Sequence, residues 1–201
     1  MPDVPPTTGH RTARGSIDPA YFEAVYAADP DPWGFETSPY EAAKYAATLA
    51  ALPRARYARA LEVGCAGGVL TARLAERCTA LVAVDVAEPA LATARERLAD
   101  RAFVDVRRAA VPDETPRGPF DLAVVSEVGY YLSAADLARF ERQLRSRVVP
   151  GGHVVLVHWT GETDYPLAAD DVHAAFAVWR PLVSERTADY RLDVVARPTS
   201  A

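Results

Sequence analysis

Apolar residues fall into two periods along this chain. Short apolar runs at Ala60-Leu61, Ala80 to Val84, Phe120 to Val125 (broken only by Asp121) and Val154 to Val157 read as strands buried on both faces. Phe103 to Ala109 is a further strand, but Asp105, Arg107 and Arg108 make it less apolar and place it toward an edge. Between the runs, apolar positions recur every three or four residues: Leu70, Leu74 and Cys78; Leu91, Ala94 and Leu98; Leu137, Phe140, Leu144 and Val148. Those are helices with one buried face. Strand alternating with helix predicts a parallel sheet. Pro150-Gly151-Gly152 turns into the fifth strand, which ends at His158-Trp159. Residues 160–171 are polar and acidic, and a helix from about Asp171 to Trp179 follows. The last two runs, Leu182 to Thr187 and Arg191 to Arg197, are joined by Ala188-Asp189-Tyr190. A parallel return needs a dozen or more residues, so this pair is an antiparallel hairpin. The expected fold is a doubly wound, seven-stranded, mostly parallel α/β sheet closed by that hairpin.

Ahead of the first strand the pattern differs. Residues 1–17 are rich in Pro, Thr and Gly without periodicity, which predicts disorder. One domain is expected over 18–201. Its first part, 18–53, is helical: Asp18-Pro19 caps and opens one helix through Tyr26, and Ser38 with Glu41 has the spacing of a capping box for a second. Tyr45, Leu49 and Leu52 share one face before Pro53 closes it, and Asp29 to Phe35 is a loop carrying Trp33. An arm placed there is free to act as a lid over a core of 59–197. Ser133 and Asp136 repeat the box before the helix that follows the fourth strand.

Composition narrows the partners. Net charge is −5 with pI ≈ 5.4, which disfavours nucleic acid. Cys65 and Cys78 have neither metal-ligand nor disulfide-framework spacing, and are expected buried, Cys65 in a turn and Cys78 on a helix. No stretch is apolar enough to span a bilayer and no signal-peptide core follows Met1, so a cytoplasmic monomer or homodimer without metal is expected. Lys44 is the sole lysine among many arginines.

The chemistry sits at 60–71. Glu62, Gly64, Cys65, Ala66, Gly67 and Gly68 place an acid and a glycine turn between strand and helix. The dinucleotide fingerprint needs glycine at 66 and 69, where Ala66 and Val69 stand. An acid already on the strand repels pyrophosphate and suits a cationic ligand such as S-adenosylmethionine, which carries an ammonium and a sulfonium. Asp85, ending the second strand, is where this topology puts a ribose-binding carboxylate. Expected cofactor contacts are Glu62, Gly64, Cys65, Ala66, Gly68, Asp85 and Val86, with Ala110 after the third strand, Ser126 from the fourth strand and Tyr40 from the arm. Ala66 fits the turn if its φ is negative.

Five β–α units plus the hairpin is the layout of class I S-adenosylmethionine-dependent methyltransferases. Asp-Pro-Trp-Gly-Phe-Glu-Thr-Ser-Pro-Tyr-Glu-Ala-Ala-Lys-Tyr (31–45), Ser-Glu-Val-Gly-Tyr-Tyr-Leu (126–132), His-Trp-Thr-Gly-Glu-Thr-Asp-Tyr-Pro-Leu (158–167) and Glu-Arg-Thr-Ala-Asp-Tyr-Arg-Leu-Asp (185–193) resemble the nodulation protein S family more narrowly. Those enzymes methylate the free amine of a chitooligosaccharide. The resemblance spans roughly residues 18–197 and implies the fold, the cofactor and methyl transfer to a small-molecule amine. It also implies a departure, since the acid that would meet adenine after the third strand is Ala110.

Residues just past the fourth and fifth strands face the transferable methyl in such a sheet. Glu127 is expected to orient an amine and steady its developing charge, His158 to remove a proton, and Tyr130 or Tyr131 to form pocket wall. Acids at 162, 164, 170 and 171 are either a solvated face or an attraction for an amino sugar. An O-methyltransferase and a non-catalytic cofactor-binding subunit are the alternatives.

Overall fold

Among the residues described by the computed structural model, 5–199, seven strands form one sheet. They are β1 (Tyr57–Val63), β2 (Cys78–Asp85), β3 (Val104–Arg108), β4 (Phe120–Ser126), β5 (Val148–Trp159), β6 (Arg180–Arg186) and β7 (Tyr190–Ala196), ordered β3-β2-β1-β4-β5-β7-β6. The first five run parallel, and β7 is antiparallel to both β5 and β6. The strand order reverses between β1 and β4, which opens a crevice beyond their carboxyl ends.

Side chains alternate across the sheet, so each central strand feeds two cores. Ala60, Leu122, Val124 and Val155 meet α2 (Pro39–Ala50) through Tyr45, α3 (Val69–Ala75) through Leu70 and Leu74, and Leu52 in the link between α2 and β1. Leu61, Ala123, Val125 and Leu156 meet α5 (Ala134–Arg147) and α6 (Ala169–Ala175) through Leu137, Phe140, Leu144 and Val172. The crossover helix α4 (Glu88–Arg97) sets Leu91 against Ala83 and Cys65. No described helix is long and apolar enough to cross a membrane.

Several boundaries move for local reasons. β5 continues back through Pro150-Gly151-Gly152, absorbing the expected turn as a register shift against Phe120 and Leu122. Cys78 opens β2, because α3 stops at Ala75. Both cysteines are buried and free.

The expected disorder of the N-terminus is corrected over residues 5–17; residues 1–4 lie outside the described residues. Ile17 N–H donates to Tyr131 O at 2.8 Å, Ser16 Oγ to Asp136 at 2.6 Å, and Thr8 N–H to Asp164 at 2.8 Å. Thr7, Ser16 and Ile17 are buried. Composition missed this because long-range polar ties, not an apolar stripe, hold the segment. It leads into α1 (Pro19–Ala28), capped by Asp18, and so to the loop carrying Trp33 and α2.

The two capping boxes form by half. Ser38 and Ser133 accept the N–H groups of Glu41 and Asp136, but neither acid returns the bond. Asp136 instead takes Ser16, Arg14 and Arg139, and Glu41 takes Lys44.

Candidate active site

A cavity of about 490 Å³ occupies the crevice, floored by the ends of β1, β2 and β4 and walled by residues from 12–17 and from the arm up to Tyr45. Glycine is required at its floor. Gly64 has φ +81°, and a Cβ there would lie 2.2 Å from Val128 Cγ2. Ala66 departs from expectation: its φ is +47°, so an L-residue holds a left-handed turn. Its N–H is tied to Asp85 Oδ2 at 2.9 Å, which offsets part of the strain. Asp85 Oδ1 accepts Val86 and Ala87 N–H at 2.7 and 3.0 Å. Burial pushes the Asp85 carboxyl up while those three N–H groups pull it down. Asp85 thus holds the glycine turn as well as facing the cavity, where Gly64, Cys65, Ala66, Val86, Ala110, Ser126 and Tyr40 also lie. Ala110 N–H is taken by Glu114 at 2.8 Å. Gly68, φ +79°, caps α3 against Ala94.

Glu62 sits behind this wall rather than on it. It is 1% exposed, its Oε2 has no partner, and burial raises it to about 8, with Thr71 beside it pulling the other way.

Glu127 lies on the cavity wall at φ +57°, a left-handed position for a non-glycine residue. Its Oε1 accepts Lys44 Nζ at 2.7 Å; its Oε2 accepts the Tyr130 hydroxyl and Trp159 N–H, the latter at 3.0 Å. Lys44 Nζ also donates to Glu41 Oε1 at 2.9 Å. Tyr130 is buried and Tyr131 half-buried, and both reach the cavity. Tyr131 meets Tyr130 and Tyr165 edge-on at 4.8 and 4.7 Å, and Tyr130 lies tilted at 33° to Tyr165 at 4.9 Å.

His158 is not on the wall. It is 0% exposed behind the 3-10 turn Gly129–Tyr131, where its Nε2 accepts Gly129 N–H at 3.1 Å. Its Nδ1 meets His173 Nε2 at 3.2 Å, and His173 Nδ1 meets Asp193 at 2.7 Å. Burial, then His173, hold His158 well below the ordinary imidazole value. Successive residues of a strand point to opposite faces, and His158, next to last in β5, points into the α6 core.

The expected acidic rim is also rearranged. Asp164 binds Thr8, Asp170 pairs with Arg186 and Arg191, and Asp171 accepts Ala168 N–H. The carboxylates that do line the cavity are Glu41, Asp85, Asp113, Glu127, Asp136 and Asp189, against Arg14 and Lys44 as cations. In the sequence Glu41 reads only as a capping residue and Lys44 only as the sole lysine, though a signal was present. They share a helical face with Tyr45 and Thr48, and opposite charges on a buried stripe announce a site.

The family model described as nodulation protein S matches residues 23–149. Nodulation protein S of Rhizobium tropici is 37% identical over 127 residues, covering 62% of this chain and 53% of that protein. The Sinorhizobium fredii protein of the same name is 35% identical, with 62% and 59% covered. The chain spans little more than half the length of these relatives. A Pseudomonas syringae protein, provisionally described as a methyltransferase, is 43% identical with a TM-score of 0.70, covering 79% of this chain and 99% of its own. The N-methyltransferase NodS of Bradyrhizobium japonicum, solved with S-adenosyl-L-homocysteine, has a TM-score of 0.80 over 90% of this chain and 98% of its own. At 24% identity it shares the fold.

Proposed function

The chain belongs to the nodulation protein S family, and from that premise we propose that it is an S-adenosylmethionine-dependent N-methyltransferase acting on the amine of an amino sugar or related small molecule. One observation carries the reading. A single cavity at the strand-order reversal brings together a glycine turn, Asp85 and Glu127, with six carboxylates facing two cations. Such a wall favours positively charged ligands over phosphates or carboxylates.

The residues fit the cofactor. Gly64 keeps the backbone of the turn at the cavity floor, where a Cβ would strike Val128, and Asp85 retains about one lone-pair site for a ribose hydroxyl beyond the three N–H groups it accepts. Val86, Ala110 and Val111 supply an apolar edge for adenine. Bound there, S-adenosylmethionine supplies a methyl group already activated on sulfonium. The protein's work is then alignment, where holding reactants in place contributes roughly 7–11 kcal/mol. Glu127 has about four lone-pair sites and three are taken, leaving one for an amine N–H. That contact orients the nitrogen lone pair, steadies the ammonium that forms, and gives its surplus proton a carboxylate to leave by. Residues 18–53 cover the cavity as a lid and exclude water.

Calorimetry with S-adenosylhomocysteine, and methyl transfer to glucosamine against glucose, test the reading. Binding that weakens roughly ten- to a hundredfold in Asp85→Ala, with transfer to glucosamine alone, is expected. Transfer to glucose instead makes it an O-methyltransferase, and absence of binding overturns it.

A further inference from the structure

Lys44 stands apart from every other cation in the chain. It is the one lysine among 22 Lys and Arg residues, and it is 3% exposed, whereas no described arginine is buried. Its ammonium bridges Glu41 Oε1 at 2.9 Å and Glu127 Oε1 at 2.7 Å, with the Tyr40 ring centroid at 5.2 Å. The slot suits a compact ammonium with three donors and not a planar guanidinium fork.

We infer that Lys44 is a positioning residue of the methyl-transfer site, fixing Glu127 from the arm. The inference rests on the methyltransferase reading of the cavity. Glu127 needs such ties, because its left-handed φ of +57° costs conformational energy that neighbours must offset. Tyr130 and the Trp159 N–H restrain Oε2 from the sheet side; Lys44 restrains Oε1 from α2, 83 positions earlier in sequence. The acceptor-facing carboxylate is therefore assembled only when α2 is docked. Charge supports the same role. One ammonium between two carboxylates leaves one negative charge on the cavity wall, the complement of a methylated ammonium. The groups facing the cluster, Tyr40 and Glu41 on α2, Tyr130 on the 3-10 turn and Asp189 between β6 and β7, add no second cation. Glu41 Oε2 and the Tyr40 hydroxyl are buried without partners on this wall, so polar capacity is left over for a ligand.

The full chain provides the test, because a sole lysine gives a single ¹⁵Nζ resonance. That resonance is expected to be protected from exchange and to shift in Glu127→Gln. Lys44→Met is expected to bind S-adenosylhomocysteine within about threefold of the parent but to turn over glucosamine roughly ten- to a hundredfold more slowly. The deficit shrinks as pH rises, since a carboxylate stripped of its cation holds its proton to higher pH than one that keeps the cation. Comparing variants on one acceptor cancels the acceptor's own ionisation. Lys44→Arg restores the parent pH profile without full turnover. Parent-like turnover and profile in Lys44→Met, or an Nζ signal unmoved by Glu127→Gln, overturns the role. If Lys44→Met does not fold, the resonance and Lys44→Arg decide. A parent that binds no S-adenosylhomocysteine fails the methyltransferase reading, while the resonance still reports on the clamp.

Discussion

His158 Nε2 accepts the backbone N–H of Gly129 at 3.1 Å, and that contact sets the proton order of a buried chain. With Nε2 accepting, Nδ1 carries the hydrogen and donates to His173 Nε2; His173 Nδ1 then donates to Asp193. His158 is held neutral, and no lone pair of it is left to take a proton from substrate. His158→Asn is therefore expected to leave single-turnover methyl transfer within about threefold of the parent. It should cost about 1–3 kcal/mol of stability through unsatisfied buried groups, seen calorimetrically as a melting point several degrees lower. A hundredfold loss of turnover with unchanged melting would return His158 to the chemistry.

The same chain makes stability pH-dependent. The folded value of His158 lies well below the ordinary 6.5, so the unfolded state binds a proton that the folded state refuses. Stability is present above about pH 6.5 and falls as pH drops below it. Burial pushes Asp193 up, but the hydrogen bonds from His173, Ser184 and Arg191 outweigh it and hold it at about 2, so its contribution persists to lower pH. Melting temperature should decline from pH 7 to 5, and less steeply in His158→Asn; parallel curves would show that another group is responsible.

The sheet and its order of helices were readable because two-period patterning survives in any strand–helix sequence, as at Ala80 to Val84 against Leu91, Ala94 and Leu98. Gly64, Asp85 and Val86 reach the cavity by backbone topology alone, as the strand–turn–helix pattern predicts. Glu127 and Tyr130 follow β4 and line the same cavity, but Lys44 and Glu41 reach it from α2 through tertiary packing, which no local pattern encodes. His158 was expected at the cavity, but neighbouring strand residues alternate faces, and the one at 158 faces the α6 core.

Ala66 tests the cost of the turn. A left-handed L-residue costs about 1–2 kcal/mol, while glycine adds about 0.5–1 kcal/mol of unfolded-state entropy. Ala66→Gly should therefore stabilise the protein by up to about 1 kcal/mol, raising the melting point by about 1–4 °C with the Ala66–Asp85 bond kept. A lower melting point would mean that the turn is not strained at 66.

The arm gives a prediction about motion. Trp33 and Phe35 stack at 5.9 Å, Tyr26 packs on Trp33, and their cluster leans on Ala66 and Ala87 beside the glycine turn. Arg97 ties Glu36 and the Gly67 carbonyl together across the same seam. A ligand resting on Ala66 should thus steady the arm. Hydrogen exchange over residues 18–45 is expected to slow when S-adenosylhomocysteine is added, and equal exchange would make the arm a fixed cover.

Glu62 is the last case, and its sign is opposite to that of His158. Its carboxyl is buried beside Thr71 with Oε2 unpartnered, and burial raises it to about 8 from an ordinary 4.5. The folded state therefore holds a proton that the unfolded state has released, and stability falls as pH rises between those two values, by at most about 1.4 kcal/mol per pH unit. Glutamine has the same shape and no charge to lose. Glu62→Gln should match the parent near pH 4.5 and melt progressively higher than it as pH approaches 8. A constant difference at every pH would mean that Glu62 is ionised throughout.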